Sequence, residues 1–274
     1  MELLDGKKYR NELETLYKKE IKDNYLNIGL AIIQVGNNPE SNTYIKNKIN
    51  FCNKVGITVY LYQLDESSDE EVISIIEKFN KDDKVTGIIL QSPTKGVDFD
   101  KCVEHIDESK DVDGLTSGNR LKLERGEESI LPCTVKGIIK LLEHYKIKIK
   151  GSNVVILGRG KLVGKPLADL LRNMGSNVTV CHSKTEDVSK YTKEADIVVG
   201  AMGNPKYIKK DMLKEGFIGI DAGTTYIDGK QVGDFDFDNV KDMSSYITPP
   251  IGGVGPMTVA MIVDNLIEMK KRIG

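Results

Sequence analysis

The stretch that decides the fold covers residues 153–166 and reads NVVILGRGKLVGKP. Its first five residues are mostly apolar and predict a buried strand, and residues 158–160 then predict a glycine turn. A helical pattern runs from Leu162 to about Asn173. Strand, glycine turn and helix in this order can hold a dinucleotide pyrophosphate, because backbone N–H groups at the helix start face the phosphates and glycine permits close approach.

The glycine spacing is G-x-G-x-x-x-G, one residue longer than the usual dinucleotide fingerprint. An ordinary turn between a strand and a helix, found in any α/β protein, explains the same pattern. Other segments of the sequence are therefore needed to distinguish a dinucleotide-binding loop from an ordinary βα turn.

Strand and helix patterns alternate on both sides of this stretch, which predicts βαβ units and parallel sheets. Strands are predicted at residues 26–35, 58–64, 85–90, 177–181, 196–199 and 217–221, and helices at 7–24, 40–55, 71–80, 98–106, 134–145 and 258–272. Thr134 is expected to cap its helix. Residues 107–131 break the rhythm and predict an exposed crossing between two α/β domains. Residues 224–244 are expected to be rich in loops, and residues 247–256 to be irregular.

Composition restricts the classes of protein that fit. The 274 residues suffice for two ordinary domains, and a net charge of −2 argues against nucleic acid as a partner. The four cysteines lack C-x-x-C spacing, which predicts neither a metal site nor a disulfide framework and indicates a reducing compartment. No signal peptide or membrane-spanning apolar run is recognisable, so we expect a cytoplasmic protein without a membrane partner.

The end of the second strand after the glycine turn bears on the choice of cofactor. NAD sites usually carry a carboxylate there for the ribose hydroxyls, whereas this strand is followed by His182, Ser183 and Lys184. Together with Arg159 in the glycine turn, the serine and lysine can receive a 2′-phosphate, which favours NADP. Arg159 and Lys184 as solvated surface charges are the alternative, and His182 at a strand end is more typical of packing than of catalysis.

Four features of the first half suggest a second site. Tyr44 and Lys48 are four residues apart and share a helix face, and a phenol beside an ammonium suits proton transfer. Gln91 ends a predicted strand, where open α/β sheets place ligand contacts. Asp111 and Asp113 lie in a loop, where aspartates are common turn formers. An ordinary amphipathic helix explains Tyr44 and Lys48 equally simply, so these residues alone mark only a cleft.

Seven segments together resemble the bifunctional methylenetetrahydrofolate dehydrogenase/cyclohydrolase family, in the family's order over nearly the whole chain. They are VGNNPESNTYIKNK at 35–48, GIILQSP at 87–93, KDVDGL at 110–115, PCT at 132–134, GRGKLVGKP at 158–166, CHSKT at 181–185 and GGVGPMT at 252–258. KDVDG and GGVGPMT are the most specific of these motifs.

The resemblance implies a folate-binding catalytic domain at residues 1–117 plus 256–274, a Rossmann-type NADP-binding domain at 118–255, and an active site in the cleft between them. It also implies a homodimer acting in one-carbon metabolism and purine biosynthesis. NADP would oxidise 5,10-methylene-tetrahydrofolate to the methenyl cation, which water would convert to 10-formyl-tetrahydrofolate.

The resemblance also assigns roles to residues. Lys48 matches the catalytic lysine, Gln91 its hydrogen-bond partner, Tyr44 the tyrosine that positions the folate, and Asp113, not Asp111, the carboxylate that binds the pterin. The other implied contacts are Gly253, Pro256 and Thr258 for substrate, and Gly158, Arg159, Gly160, Gly164, Lys165, Pro166, His182, Ser183 and Lys184 for cofactor. No metal is implied.

Three positions depart from the family pattern. Gly160 stands where serine is usual, which removes a hydroxyl that can contact the 2′-phosphate. Residues 92–95, SPTK, replace the usual L-P-L-P, and a proline is displaced in residues 248–253, TPPIGG. Two alternatives to the folate enzyme stay open, namely a shikimate-dehydrogenase-like oxidoreductase and a non-catalytic NADP or folate sensor.

Overall fold

The computed structural model describes residues 1–273, with side chains through Arg272. The strands are β1 Glu2–Leu3, β2 Gly29–Val35, β3 Thr58–Leu64, β4 Gly87–Gln91, β5 Asn153–Leu157, β6 Asn177–Cys181, β7 Ile197–Gly200, β8 Ile218–Asp221, β9 Thr225–Ile227, β10 Lys230–Val232 and β11 Tyr246–Ile247. The helices are α1 Gly6–Asp23, α2 Pro39–Val55, α3 Asp69–Asn80, α4 Phe99–Val103, α5 Ser117–Glu124, α6 Cys133–His144, α7 Gly164–Asn173, α8 Ser189–Thr192, α9 Phe237–Val240 and α10 Val254–Ile273.

The chain divides into two compact units. The six-stranded unit consists of Met1–Arg10, Leu123–Glu127 and Thr134–Thr258. The three-stranded unit consists of Asn11–Lys122, Glu128–Cys133 and Val259–Gly274. Two α/β domains with parallel sheets are thus confirmed.

The six-stranded unit is built on a parallel sheet with strand order β1-β11-β8-β7-β5-β6. Its central strands are almost wholly buried, as parallel strands covered on both faces must be. Phe217 and Phe235 stack with ring centroids 6.2 Å apart in the core on one side of this sheet. A separate antiparallel hairpin, β9–β10, follows β8.

The three-stranded unit has a parallel sheet with strand order β3-β2-β4. All seven residues of the central strand β2 are buried, whereas the edge strand β3 is mostly exposed. In this register Gln34 of β2 lies opposite both Gln63 of β3 and Gln91 of β4, so the three glutamines form a row near the carboxyl ends of the strands.

Helix α2 has well-defined ends. The Asn38 side chain accepts hydrogen bonds from the N–H groups of Glu40 and Ser41, and Pro39 occupies the first turn, where its missing N–H is harmless. Gly56 ends the helix in the left-handed region with φ of 95°, directly after the helix predicted at residues 40–55.

Four local predictions are wrong. Residues 107–131 are not simply an exposed loop, because they contain α5 and the buried Asp111. Thr134 does not cap α6, which begins one residue earlier. The last helix begins at Val254, not at residue 258 as predicted. Pro256 is tolerated in its first turn, because the N–H that proline lacks would have no helical partner there. Residues 224–244 contain the β9–β10 hairpin and α9.

The sequence contained no signal for β1, whose two residues pair with β11 at the edge of the six-stranded sheet. The start of the chain therefore packs with the six-stranded unit, although the family resemblance implies that residues 1–117 belong to the other domain. Among the described residues, no helix is both long enough and apolar enough to cross a membrane.

Candidate active site and glycine turn

Lys48 is buried on α2, with only 7% of its surface exposed. Its Nζ atom donates a hydrogen bond of 3.0 Å to Oε1 of Gln91, the last residue of β4. The Gln91 Nε2 atom donates to the Ser92 carbonyl at 2.7 Å, which turns Oε1 toward the lysine. Within residues 1–272, Lys48 has no other hydrogen-bond or ion-pair partner. An amine that is buried beside one neutral acceptor is suited to exchanging protons with a ligand.

A chain of amide side chains supports the start of α2. Gln63 donates to Gln34 at 2.8 Å, Gln34 donates to Asn42 at 2.7 Å, and Asn42 donates to Asn37 at 2.7 Å. Gln34 is almost completely buried, so each of its hydrogen bonds replaces one to water. This chain of amide side chains links the three-stranded sheet to α2, the helix that carries Lys48. These four amides were not predicted from the sequence, because a single Asn or Gln in a strand, loop or helix has no local sequence signature.

Tyr44 and Cys52 flank Lys48 by one helical turn on either side. Tyr44 is half-buried. Cys52 is completely buried, and this burial raises the pKa of its thiol to about 12, although the Lys48 charge acts in the opposite direction. Cys52 therefore stays neutral near pH 7 and takes no proton from the lysine.

The two aspartates of KDVDG have different environments. Asp111 is 1% exposed, and its Oδ2 atom accepts hydrogen bonds from N and Oγ1 of Thr116, both at 2.8 Å, and from Nδ2 of Asn119 at 3.0 Å. Asp113 is half-buried, and its carboxylate has no hydrogen bond or ion pair within the described part of the chain. Asp111 is thus used within the fold, whereas Asp113 is open to a ligand.

The glycine turn lies at the carboxyl edge of the six-stranded sheet. Leu157 pairs with Cys181, and the Gly158 N–H donates to the Cys181 carbonyl at 2.9 Å. This places residues 158–160 beside residues 182–184. Two predicted cofactor segments that are 24 residues apart in the sequence are therefore adjacent.

Of the three glycines in residues 158–164, two are required by backbone packing and one is not. Gly158 has a φ of +112°, and a Cβ atom there would collide with the Ala201 carbonyl. A Cβ atom at Gly164 would collide with the Gly158 carbonyl, so both positions need glycine for backbone packing. A Cβ atom at Gly160 would meet no atom within 4 Å.

The first turn of α7 can bind an anion. Val163 at its N-terminus provides no side-chain cap, and the Gly164 N–H has no acceptor among residues 1–272. The Lys165 N–H donates to the Gly160 carbonyl at 3.0 Å, and Pro166 has no N–H. The unpaired N–H at the start of this helix is an expected site for a phosphate oxygen.

Three predicted cofactor residues around this turn are open to solvent. Arg159, Ser183 and Lys184 are exposed, and no described residue forms an ion pair with either cation. His182 is half-buried, and its Nδ1 atom accepts a hydrogen bond of 3.2 Å from the Lys184 N–H, so it shapes this turn.

Lys165 differs from these cations. Its Nζ atom pairs with Asp169 at 2.9 Å and with Glu124 at 3.0 Å, and these carboxylates raise its pKa. Its side chain is engaged in ion pairs within the six-stranded unit, and a direct contact with a cofactor would have to replace them.

Gly253, Pro256 and Thr258 lie at the start of α10 in the six-stranded unit. The Oγ1 atoms of Thr258 and Thr134 are 3.1 Å apart, which joins the GGVGPMT and PCT motifs. The structure thus places these three residues in one unit, and Tyr44, Lys48, Gln91 and Asp113 in the other. No group of three His, Cys, Asp or Glu side chains that could hold a metal ion occurs in the described residues.

Comparison with known proteins gives matches along the whole chain. The family model for the catalytic domain of tetrahydrofolate dehydrogenase/cyclohydrolase matches residues 4–113, and the model for the NAD(P)-binding domain of that family matches residues 132–273. The chain is 45% identical over 278 residues to the bifunctional protein FolD of Clostridium tetani, with coverage of 98% of this chain and 99% of that protein.

Two solved structures are also similar. The bifunctional FolD methylenetetrahydrofolate dehydrogenase/cyclohydrolase from Campylobacter jejuni is 41% identical, with a TM-score of 0.97 and full coverage of both chains. The Trypanosoma brucei N5,N10-methylenetetrahydrofolate dehydrogenase-cyclohydrolase, crystallised with NADP and an inhibitor, is 32% identical, with a TM-score of 0.93 and coverage of 98% of this chain and 97% of that chain.

Proposed function

The chain belongs to the tetrahydrofolate dehydrogenase/cyclohydrolase family, and on this premise we propose how its residues perform the two reactions of one-carbon metabolism. The first reaction oxidises 5,10-methylene-tetrahydrofolate to the methenyl cation, and the second hydrolyses that cation to 10-formyl-tetrahydrofolate. The observation that carries the proposal is the buried Lys48–Gln91 pair, in the segment matched by the catalytic-domain model.

In the dehydrogenase reaction the methylene carbon loses a hydride with its electron pair. NADP, when bound, supplies the nicotinamide that accepts this hydride. No protein acid or base is required, because the folate nitrogens stabilise the resulting cation. The protein contributes the position of the substrate, which we assign to Tyr44 against the folate ring and to Asp113.

Asp113 suits the pterin because its carboxylate is open. The pterin amino group and ring N–H are donors, and an ionised carboxylate accepts two hydrogen bonds side by side. Asp111 cannot take this role without giving up its hydrogen bonds to Thr116 and Asn119.

In the cyclohydrolase reaction, water adds to the methenyl carbon and must lose a proton. We assign that proton to the amine of Lys48, held in place by Gln91. The resulting ammonium returns a proton to the folate N5 as the carbon–N5 bond breaks, and the hydroxyl proton leaves as the formyl C=O forms. One water is consumed and one proton is released in total.

The six-stranded unit contains most of the NAD(P)-binding domain, and we propose NADP as its preferred cofactor. The support for NADP comes from the residues around the glycine turn. The unpaired Gly164 N–H suits a pyrophosphate oxygen, and the exposed Arg159, Ser183 and Lys184 suit the 2′-phosphate. Gly158 and Pro166 shape the turn, whereas Gly160 adds no group of its own.

Other parts of the assignment extend this proposal. We propose residues 1–117 plus 256–274 as the folate-binding domain and residues 118–255 as the NADP-binding domain in a functional sense, although Met1–Arg10 and residues 256–258 belong to the six-stranded compact unit. Gly253, Pro256 and Thr258 are proposed to contact substrate. Assembly as a homodimer is proposed from family resemblance. A cytoplasmic location agrees with the four cysteines, which are all free thiols.

Two spectrophotometric assays test the proposed function. The first follows methenyl-tetrahydrofolate formed from methylene-tetrahydrofolate with NADP, and the second follows the loss of added methenyl-tetrahydrofolate without NADP. We expect turnover in both. Cofactor binding without turnover in either assay would instead support the sensor that the sequence left open.

A further inference from the structure

We propose that Asn265 and Asp111 are positioning residues that hold Asp113 where it binds the pterin. The inference rests on the proposed function, and extends it to two residues that do not themselves touch substrate. It starts from the segment KDVDG at residues 110–114, in which every residue except Asp113 is held by the three-stranded unit.

Asn265 anchors this segment from α10. Its side chain is completely buried, and its Nδ2 atom donates to the carbonyls of Val112 at 2.8 Å and Leu131 at 2.9 Å. Its neighbours on the helix, Leu266 and Met269, are buried and apolar. The same Nδ2 atom also lies 3.5 Å from the Cys133 Sγ atom. A buried amide among apolar residues is unfavourable unless its hydrogen bonds are made, so the bonds to the two carbonyls help to explain an asparagine at this position.

Asp111 provides a second anchor for the segment, through its own side chain. Its carboxylate binds Thr116 and Asn119, and the Asn119 Oδ1 atom in turn accepts a hydrogen bond of 3.3 Å from the Ile130 N–H. Burial raises the Asp111 pKa, while the hydrogen bonds from Asn119 and Thr116 lower it. The hydrogen-bonded carboxylate is therefore a structural part of the loop.

The flanking residues complete the support. The Lys110 Nζ atom donates to the carbonyls of Phe79 at 3.1 Å and Asp82 at 2.9 Å, at the end of α3. Gly114 has a φ of +61°, and a Cβ atom there would collide with the Ile130 carbonyl. Its N–H donates to the Asp111 carbonyl at 3.2 Å and closes the turn.

Asp113 thus sits in an anchored turn while its own carboxylate has no protein partner among residues 1–272. The position of the turn therefore sets the region that this carboxylate can reach. Removing an anchor should let the turn move, and the effect should fall on folate affinity, not on the cofactor or on the chemistry at Lys48.

Asn265→Leu tests the inference because leucine fits a buried site of this size and removes the hydrogen bonds from Nδ2 to the Val112 and Leu131 carbonyls and to Cys133. We expect the KM for methylene-tetrahydrofolate to rise about tenfold, the change that corresponds to ~1.4 kcal/mol. The KM for NADP and the kcat at saturating folate should change less than about twofold. Glu268→Gln, on the exposed face of the same helix, is the matched control.

The decisive measurement is a double-mutant cycle with Asp113→Ala. If Asn265 acts through Asp113, then adding Asn265→Leu to Asp113→Ala should raise the folate KM little further. Additive effects, or a loss of thermal stability with an unchanged folate KM, would overturn the inference. Asp111→Asn, which keeps the side-chain size, provides the same cycle and decides the question if Asn265→Leu does not fold.

The two proposals fail in different ways. A wild-type protein without turnover in either assay overturns the proposed function. A wild-type protein with both activities and additive cycles for both anchors overturns only the positioning role.

Discussion

The Nζ atom of Lys48 and the Oε1 atom of Gln91 are joined by a 3.0 Å hydrogen bond between the middle of α2 and the end of β4. The glutamine is neutral, so it holds the lysine in place without fixing the charge on it. A carboxylate in this position would favour the ammonium and remove the base. The pair therefore suits a lysine that must both accept and return a proton.

Replacing Lys48 by methionine should separate the two activities. Methionine fills the same space without an amine, so we expect cyclohydrolase activity to fall by about 10²–10⁴-fold, the usual contribution of a general base. The dehydrogenase, which needs no base, should be less affected. The measurements are the formation of methenyl-tetrahydrofolate from methylene-tetrahydrofolate with NADP, and the loss of added methenyl-tetrahydrofolate without NADP.

Lys46→Met is the matched control for that experiment, because Lys46 is on the same helix but exposed. It should keep both activities. Full cyclohydrolase activity in Lys48→Met would contradict the mechanism.

Changing Gln91 to glutamate should slow the cyclohydrolase. A carboxylate in place of the Gln91 amide would form an ion pair with Lys48, and this ion pair would compete with the exchange of a proton between the amine and the substrate. We expect the cyclohydrolase kcat to fall by at least about tenfold. Gln91→Met, which removes the hydrogen bond without adding charge, is the comparison. An unchanged kcat in Gln91→Glu would contradict the role of Lys48 in proton transfer.

The sequence patterns predicted the sheets and the helix face that Tyr44 and Lys48 share. The role of the lysine came from family resemblance, and the supporting residues around it were not predicted. Apolar runs and helical spacing depend on residues that are close in sequence, so they located β2, β4 and the shared face of Tyr44 and Lys48. Asn265 and Val112 are 153 positions apart, and no local pattern links them. The same limit hid β1, which is two residues long and exists because it pairs with β11.

The burial of the Asp111 side chain was likewise not predictable from the sequence. Asp111 and Asp113 are identical side chains two positions apart, and family resemblance, not residue type, separated their roles. In the structure the hydrogen-bond donors Thr116 and Asn119 distinguish them. Pairs of this kind require coordinates, because the deciding donors come from Thr116, just before α5, and from Asn119 within α5.

Introducing serine at Gly160 should increase the preference for NADP. A side chain there meets no atom within 4 Å, so the change is tolerated by the fold. A hydroxyl donor near the exposed Arg159 adds a hydrogen bond to the 2′-phosphate. We expect KM for NADP to fall by roughly threefold to tenfold, within the usual range for one hydrogen bond, while KM for NAD is unchanged.

Two variants control the Gly160→Ser result. Gly160→Ala fills the space without a hydroxyl and should leave the NADP to NAD ratio unchanged. Gly158→Ser should lose thermal stability, because its φ of +112° and the Ala201 carbonyl exclude a side chain. An equal gain with serine and alanine at position 160 would contradict a role for the hydroxyl.

Asp221 should make stability depend on pH. This carboxylate, at the end of β8, accepts hydrogen bonds from the N–H groups of Gly223, Asp234 and Phe235. Burial outweighs these donors and raises its pKa from 3.8 to about 7. The folded protein thus binds this proton more tightly than the unfolded chain. Its contribution to the free energy of unfolding is complete below about pH 4 and decreases as the pH rises toward 7, by at most about 1.4 kcal/mol per pH unit.

Asp221→Asn removes this titration while keeping the shape of the side chain. The difference in unfolding free energy between wild type and Asp221→Asn should therefore shift against the wild type from pH 4.5 to pH 7 and become constant above pH 8. Urea unfolding at a series of pH values measures it, with Asp228→Asn in the exposed β9–β10 turn as the control carboxylate. A difference that is constant from pH 4.5 to pH 7 would show that Asp221 is ionised throughout this range, and that its three backbone donors outweigh burial.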